Sequence, residues 1–252
     1  YPVGYNLGQS GNTPSQNLVD AYEMIDGTPF DWNNPEHKSN PYANRDPRLA
    51  MSILTNNVEF KDRTIEAWTG GRDGKGVIHA TRTGYYIYKF IDPNLDLLQN
   101  RTSVHHWVIM RYAEILLSYA EAMNEAYGPT GNVGYRLNAV RALNQVRNRV
   151  GVEMPAVPTA ISKEELREKI RNERRVELAF EDHRFWDVRR WMIAPETLGA
   201  PLRGVEITKI SDEEFEYKPI EVEKRTFEPK MYLYPIPQAD LNTTGWVQNP
   251  LW

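Results

Sequence analysis

Apolar side chains recur at steps of three and four residues from about residue 104 onward, which is the spacing of one helix face. The first such run starts near Val108 and is ended by Gly128 and Pro129. Its apolar stripe consists of Val108, Tyr112, Ile115, Tyr119, Ala122 and Ala126. The pattern predicts a helix over this run, with the stripe as its apolar face.

Two further helices are predicted in the same part of the chain. The second covers about residues 135–150, and the third begins at Ser162, where Ser162 and Glu165 match a capping box. The apolar spacing of the third helix continues as far as Trp191. Helices joined by short loops are typical of stacked antiparallel hairpins, so residues 104–193 are predicted to form a helical-repeat region.

The flanking regions lack this helical spacing. Residues 1–103 are rich in loops, with a short helix after a plausible N-cap at Ser15 and strand-like runs at 52–60 and 85–91. Residues 194–252 mix strands and loops. The fold class predicted from the whole pattern is mainly α, with a loop-rich lobe of minor β content.

Composition narrows the function classes. The formal net charge is −4 over 252 residues, without the clustered basic excess of a nucleic-acid binder. There is no cysteine, which excludes disulfides and thiol catalysis within the chain. No apolar run approaches the ~20 residues that span a bilayer. Trp and Tyr are abundant, at 7 and 14 residues, and such side chains suit wet contact surfaces as well as cores.

Two carboxylates on the third helix raise the question of catalysis. Glu173 and Glu177 share the apolar face with Arg184, and paired carboxylates can perform the acid–base work of glycoside hydrolysis. The alternative is a structural ion network in which Arg174, Arg175 and Arg184 neutralise the acids. Interleaved arginines lower the pKa of a carboxyl, whereas a general acid needs a raised pKa, so the ion network is favoured. No catalytic residues, metal site or cofactor site are predicted.

Several segments together resemble the SusD/RagB family of nutrient-binding lipoproteins. The strongest is RNERRVELAFEDHRFWDVRRW, which is similar to the family's E-R-x-x-E-L helix and its hydrophobic-Asp-x-x-Arg-Trp exit. The others are RYAEILLSYAEAMNE with LNQVRNRVG, the closing YPIPQADLN with QNPLW, and SQNLVDAYEMIDG with NRDPRL near the start. Because family members are about twice this length, the chain resembles the single C-terminal domain of the family over residues 1–252, without the N-terminal half.

The resemblance implies tetratricopeptide-like hairpins, an irregular ligand-facing lobe and a non-enzymatic role. It also implies a surface-exposed location at the bacterial outer membrane, through a lipid anchor in the N-terminal half, and a SusC-like TonB-dependent transporter as partner. The ligand would be a glycan or, in some members, a peptide. A helical-repeat scaffold without a small ligand, and a glycoside hydrolase built on Glu173 and Glu177, stay open as alternatives.

Four aromatic residues of the first hundred are the candidate ligand contacts. Tyr5, Trp32, Trp68 and Tyr85 lie in predicted loops or at strand ends. A sugar ring has an apolar C–H face that stacks on an aromatic plane, while Asn, Asp and Arg in loops bind its hydroxyl groups. Core packing or contact with the transporter is the alternative role for each of them.

Overall fold

The computed structural model describes residues 1–6 and 8–252, and it confirms a mainly helical fold with small sheets. The helices are α1 (Gln16–Val19), α2 (Pro35–Ser39), α3 (Arg48–Ser52), α4 (Tyr112–Tyr127), α5 (Ala139–Arg147), α6 (Lys163–Glu177), α7 (His183–Arg190), α8 (Ala194–Thr197) and α9 (Gln238–Thr244). The strands are β1 (Ile53–Leu54), β2 (Glu59–Phe60), β3 (Arg63–Thr64), β4 (Tyr86–Ile87), β5 (Leu202–Lys209) and β6 (Phe215–Glu223). Short 3₁₀ turns lie at Leu97–Gln99 and Pro229–Tyr232.

The longer helices surround a core of their own. α4 packs on both α5 and α6, and a cluster of buried side chains lies between them. Among the least exposed are Leu117, Ala120, Leu143, Leu166 and Ile170. Full burial of one Leu or Ile stabilises the fold by about 1.5–3 kcal/mol, so this contact holds the three helices together.

The first region and the C-terminal hairpin share a second core. Strands β5 and β6 pair antiparallel, with Ile207 opposite Tyr217, and both residues pack with Tyr22, Ile53 and Ile65 from the first region. The strands β1 with β4, and β2 with β3, form two-residue antiparallel pairs beside this core. Residues that lie more than a hundred positions apart in the sequence therefore build one lobe.

Two glycines allow the first region to approach β5 closely. A Cβ on Gly204 would lie 2.8 Å from the Cα of Thr83, and one on Gly84 would lie 2.6 Å from the Val205 Cγ1. Gly84 also has a φ of +86°, which favours glycine. The close contact between the two parts of the lobe thus requires glycine at positions 84 and 204, where any side chain would collide with the opposite segment.

The buried face of α4 differs from the predicted stripe. Tyr112 and Ile115 are 69% and 46% exposed, whereas the side chains packed against α5 and α6 are Leu116, Leu117 and Met123. The predicted stripe was wrong because both faces of this helix carry apolar residues. Spacing alone does not decide which of two apolar faces is covered.

The exposed apolar surface extends into the segment before α4. Val104, Trp107, Ile109 and Met110 are all largely exposed and lack regular secondary structure. Together with Tyr112 they form what is called here the apolar strip.

The third predicted helix is two helices in the structure. α6 begins with the predicted capping box, in which the Ser162 side chain and the Glu165 side chain each bind the other's backbone N–H. The helix ends at Glu177, and Phe180 and Asp182 adopt left-handed backbone angles, with φ of +64° and +62°, before α7. Neither residue is glycine, so no helix-stopping signal marks this break in the sequence.

Other helices and strands are shorter than predicted. The helix predicted over 135–150 is α5, nine residues long and capped by the Asn138 side chain. The run at 52–60 contains two separate short strands, and that at 85–91 contains only β4. The short helix after Ser15 is confirmed, with the Ser15 hydroxyl accepting from the Leu18 N–H. The division of the chain at residues 103 and 193 into regions of one domain stays a prediction.

Candidate ligand-binding site

Glu173 and Glu177 belong to a buried ion cluster. Arg48 of α3 binds both carboxylates, with 2.8 Å between its Nη1 and the Glu177 Oε2. Arg147 of α5 donates to Glu173 at 2.8 Å, and Arg111 and Arg149 each donate to Glu177 at 2.6 Å. These six residues are called the ion cluster. It joins the first region to the helices around a pair of nearly inaccessible carboxylates.

The partners of the two acids differ from the predicted ones. An ion network was expected from Arg174, Arg175 and Arg184 on the same helix, but the cations come from α3, α5 and the loops that flank α4 and α5. Arg174 instead pairs with Asp187 of α7 at 2.9 Å. Helical spacing identifies the buried acids, but it does not reveal partners that tertiary packing brings from elsewhere.

The ion cluster keeps Glu177 ionised. Burial alone would raise the pKa of Glu177, but hydrogen bonds from Arg149, Arg111 and Arg48 outweigh burial and lower the pKa to about 2. A general acid must hold a proton near neutral pH. The geometry therefore favours a structural role for Glu177 over the role of an acid in glycoside hydrolysis.

The structure places two of the four predicted ligand contacts in the core. Tyr85 is 0% exposed, and its hydroxyl donates to the Gln16 Oε1 at 2.5 Å. Tyr5 is 8% exposed, with an edge-on contact to Phe60 and its hydroxyl bound to the Phe60 carbonyl oxygen at 3.0 Å. These rings are occupied by protein contacts, against the expectation that they lie in accessible loops.

Trp32 is half-buried in the loop before α2. Its Nε1–H donates to the Asp20 Oδ1 at 3.0 Å, and its ring meets Phe30 edge-on at 5.1 Å between centroids. The hydrogen bond fixes the indole orientation, while part of the ring stays accessible to solvent.

Trp68 is half-buried on another part of the same lobe. Its ring lies 5.4 Å from that of Phe215 on β6, and the Lys209 Nζ lies 4.9 Å from the indole centroid. The structure therefore does not bring the four candidates into one group. Two of them contact residues that line the cleft described next: Trp68 contacts Phe215, and the buried Tyr85 accepts a hydrogen bond from the Tyr42 hydroxyl at 3.4 Å. Of these two, only Trp68 is partly accessible to solvent.

Phe215 lines an open cleft of about 420 Å³ beside Trp68. Its walls carry aromatic rings and side-chain amides, and it is called the aromatic–amide cleft. The residues that define it are Tyr42, Asn40, Asn56, Asn57, Phe215 and Tyr217. Sequence reasoning missed these positions, although the polar Thr-Asn-Asn at 55–57 within a strand-like run was a usable signal.

Some of the polar groups of this cleft are held in place by protein contacts. Asn56 donates from its Nδ2 to the Tyr217 hydroxyl at 3.4 Å and accepts from the Ala67 N–H at 3.1 Å. Tyr42 packs edge-on against Tyr217 at 5.3 Å, and burial raises the pKa of both phenols. Both hydroxyls therefore stay protonated at neutral pH. Glu213 and Glu214 also line the cleft and add two carboxylates to its rim. Aromatic rings with hydrogen-bonding groups beside them suit a polar ligand such as a sugar.

Two other features are absent from the described part of the chain. Within residues 1–6 and 8–252, no group of three or more His, Asp or Glu side chains is arranged to hold a metal ion. In the same part of the chain, no helix is both long and apolar enough to cross a bilayer.

Comparison with known proteins then identifies the family. The sequence profile of the SusD family matches residues 2–252. The chain belongs to the SusD family. Among curated relatives, SusD-like protein P2 of Formosa agariphila is 34% identical over 120 residues, which are 46% of this chain and 22% of that protein. SusD-like protein P38 of the same organism is 35% identical over 104 residues, or 39% and 19% of the two chains.

Solved SusD-like structures share the fold. A SusD-like protein of Bacteroides fragilis superposes with a TM-score of 0.80 at 33% identity, over 98% of this chain and 48% of that one. A SusD-like carbohydrate-binding protein of the same organism gives 0.72 at 31% identity, over 91% and 47%. This SusD-family chain thus spans about half the length of the solved relatives that it matches.

Proposed function

We propose that this chain contributes to a non-enzymatic glycan-binding protein, with the aromatic–amide cleft and Trp68 beside it as ligand contacts. The observation that carries the proposal is the cleft itself, where half-buried Tyr42 and Phe215 lie beside Asn40 and the exposed Asn57. Sugar rings stack on aromatic faces, and their hydroxyls exchange hydrogen bonds with amides. A carbohydrate-binding SusD-like relative of the same fold supports this choice of ligand.

Trp32 is proposed as a second contact on the same lobe. Its accessible indole is fixed by Asp20, which reduces the entropy lost when a ligand orders the ring. Tyr5 and Tyr85 are proposed only to support the lobe, because both are buried.

Membership of the family extends the proposal to location and partner. We propose that the protein acts at the surface of the bacterial outer membrane and delivers its ligand to a SusC-like TonB-dependent transporter. Co-purification of such a transporter with the tagged full chain from outer membranes tests this part. If the chain fractionates without any outer-membrane transporter, the delivery role is lost, while glycan binding is unaffected.

Affinity electrophoresis and calorimetry against a panel of polysaccharides, oligosaccharides and peptides test the binding role. Loss of stacking in Trp68→Ala or Trp32→Ala is expected to weaken glycan binding by about tenfold, or 1.4 kcal/mol. Asn57→Ala removes one exposed amide and is expected to cost less. Trp246→Ala is the matched control, because Trp246 is exposed and lies outside the lobe core and the cleft.

The proposal fails if no glycan binds the full chain. Retention of peptides instead would reassign the same lobe to peptide capture. Association with the transporter without any ligand would indicate a scaffold. Equal losses in Trp68→Ala and Trp246→Ala would move the site away from the aromatic–amide cleft.

A further inference from the structure

A second cleft, of about 510 Å³, lies between α1, the end of α6, and the start of β5. Four half-buried arginines line it, against two carboxylates, those of Asp20 and Glu196. The arginines are Arg175, Arg184, Arg203 and Arg225, and the site is called the arginine cleft. The chain as a whole carries a formal charge of −4, so this positive cleft is not part of a generally basic surface.

The carboxylate of Asp20 already accepts hydrogen bonds from three protein side chains. Asp20 accepts from Arg203 at 2.7 Å, from the Gln16 Nε2 at 2.7 Å and from the Trp32 Nε1 at 3.0 Å. It therefore compensates Arg203 and has little capacity for another cation.

The other three arginines have no carboxylate partner among residues 1–6 and 8–252. Arg225 donates to the carbonyl oxygens of Ala200 at 2.8 Å and Thr197 at 3.1 Å, and Arg175 donates to that of Asn17. Arg184 makes no hydrogen bond within the described chain, and Glu196, which lines the same cleft, forms no salt bridge there. These carbonyl oxygens accept hydrogen bonds from the guanidinium N–H groups, but they are neutral and do not compensate the positive charge of the arginines.

The arginines also repel one another. Burial lowers the pKa of Arg175 to about 10, and the nearby Arg184 contributes to the decrease. Burial lowers the pKa of Arg184 as well. Both side chains still carry a positive charge at neutral pH. Nearby acids, Asp187 for Arg184 and Asp20 for Arg175, oppose these decreases without forming an ion pair with either arginine. Partly desolvated like charges without a direct ion pair are unfavourable, and a bound anion would reduce that cost.

We propose that the arginine cleft binds an anionic group of the ligand, either the carboxylate of a uronic acid or a sulfate ester, so that the protein captures an acidic glycan. This inference rests on the proposed glycan-binding function and adds the charge of the ligand to it. The planar guanidinium matches carboxylate and sulfate oxygens with two parallel hydrogen bonds. Arg184 has all its donors available for such a pair.

The position of the cleft fits a saccharide. Asp20 contacts Arg203 in the cleft and Trp32 on its other side, so an aromatic ring and the cationic groups are linked by one side chain. Arg203, which Asp20 links to the proposed stacking residue Trp32, lines the same cleft as Arg184.

Paired ligands that differ only in charge test the inference on the full chain. Polygalacturonate is compared with its methyl ester, dextran sulfate with dextran, and inorganic sulfate is titrated separately. Arg184→Gln is the main variant, because it removes the charge without breaking a hydrogen bond in the described chain. Arg184→Lys keeps the charge but loses the bidentate geometry. Arg141→Gln, at an exposed position of helix α5, is the charge-matched control.

Binding of one acidic polymer over its neutral counterpart is expected, with a loss of about tenfold or more in Arg184→Gln, a partial loss in Arg184→Lys and little change in Arg141→Gln. A thermal stability of Arg184→Gln at or above that of the wild type shows that the loss of binding is local, because removal of a repelled charge does not weaken the fold. Competition by millimolar inorganic sulfate would identify the sulfate ester as the group that is recognised.

Two results contradict the inference in distinguishable ways. If a neutral glycan binds and responds to Trp68→Ala, but acidic polymers gain nothing from Arg184, the arginine cleft is not a ligand site and the proposed function stands. If neither neutral nor acidic glycans bind, the proposed function and the inference fail together.

Discussion

At the scale of single residues, the ion cluster shows how the chain keeps charges in its interior. Glu177 is almost inaccessible, yet three guanidinium groups donate to its two oxygens. A buried charge is tolerated when its hydrogen-bonding capacity is filled in this way. Removal of one partner destabilises the fold, because the remaining partners are left as uncompensated buried charges.

Glu177→Gln is therefore expected to destabilise the protein by about 3 kcal/mol, because Arg48, Arg111 and Arg149 would share a neutral acceptor. Urea unfolding at pH 7 measures this difference. The matched control is Glu168→Gln, since Glu168 is an exposed residue of the same helix that pairs with Arg171, and its loss should cost less than about 0.5 kcal/mol.

The pH dependence gives an independent check of the same prediction. The pKa of Glu177 lies at about 2 in the fold, below its ordinary value of 4.5, so the ionised form stabilises the folded state above that ordinary value. This contribution decreases as the pH falls from 4.5 toward 2. The gap between the wild type and Glu177→Gln should close over that interval. A gap that is constant with pH would mean that packing, rather than charge, holds the cluster together.

At the scale of elements, helix starts are better encoded than helix ends. The Ser162–Glu165 capping box and the Ser15 cap are both present as the sequence indicates. These signals are local and depend on residues three positions apart. The end of α6 has no such signal, because the left-handed positions that follow it are occupied by Phe180 and Asp182 rather than by glycine.

Ser162→Ala is expected to reduce stability by about 1 kcal/mol, since it leaves the Glu165 N–H without its side-chain acceptor. The same change at Ser211, an exposed loop residue, should have almost no effect. The denaturation midpoints of both variants in urea, compared with that of the wild type, measure these differences in stability. Equal midpoints would show that α6 is held by its packing against α4 alone.

The candidate site was harder to predict than the fold. The mainly helical class follows from spacing within single segments, whereas the aromatic–amide cleft combines residues from 40 to 57 with residues of β6. Tyr5 and Tyr85 have the same side chain as Tyr42 in equally loop-rich sequence, yet they are buried while Tyr42 lines the cleft. Only long-range packing separates these cases.

At the scale of the whole molecule, the apolar strip exposes several large apolar side chains to solvent. Trp107 and Ile109 are 77% and 85% exposed. Contiguous exposed apolar surface of this kind marks a contact site or promotes association.

The 252-residue chain on its own is therefore expected to self-associate at micromolar concentrations, and Trp107→Gln with Ile109→Gln should shift it toward monomer. Sedimentation velocity measures the distribution. Val150→Gln changes an equally exposed apolar residue away from the strip and should leave the distribution as it was. A monomeric wild-type chain would contradict the expectation.

The ion cluster also limits how such a chain can change over generations. Arg48 lies 125 residues before Glu173, so its gene segment and that of the helices can recombine separately. A crossover that brings in a new ligand-facing segment preserves the fold only if the incoming piece carries its own arginine at this position. The cluster thus acts as a compatibility requirement for exchange between relatives, and designed chimeras with altered ligand preference should retain it as a matched set.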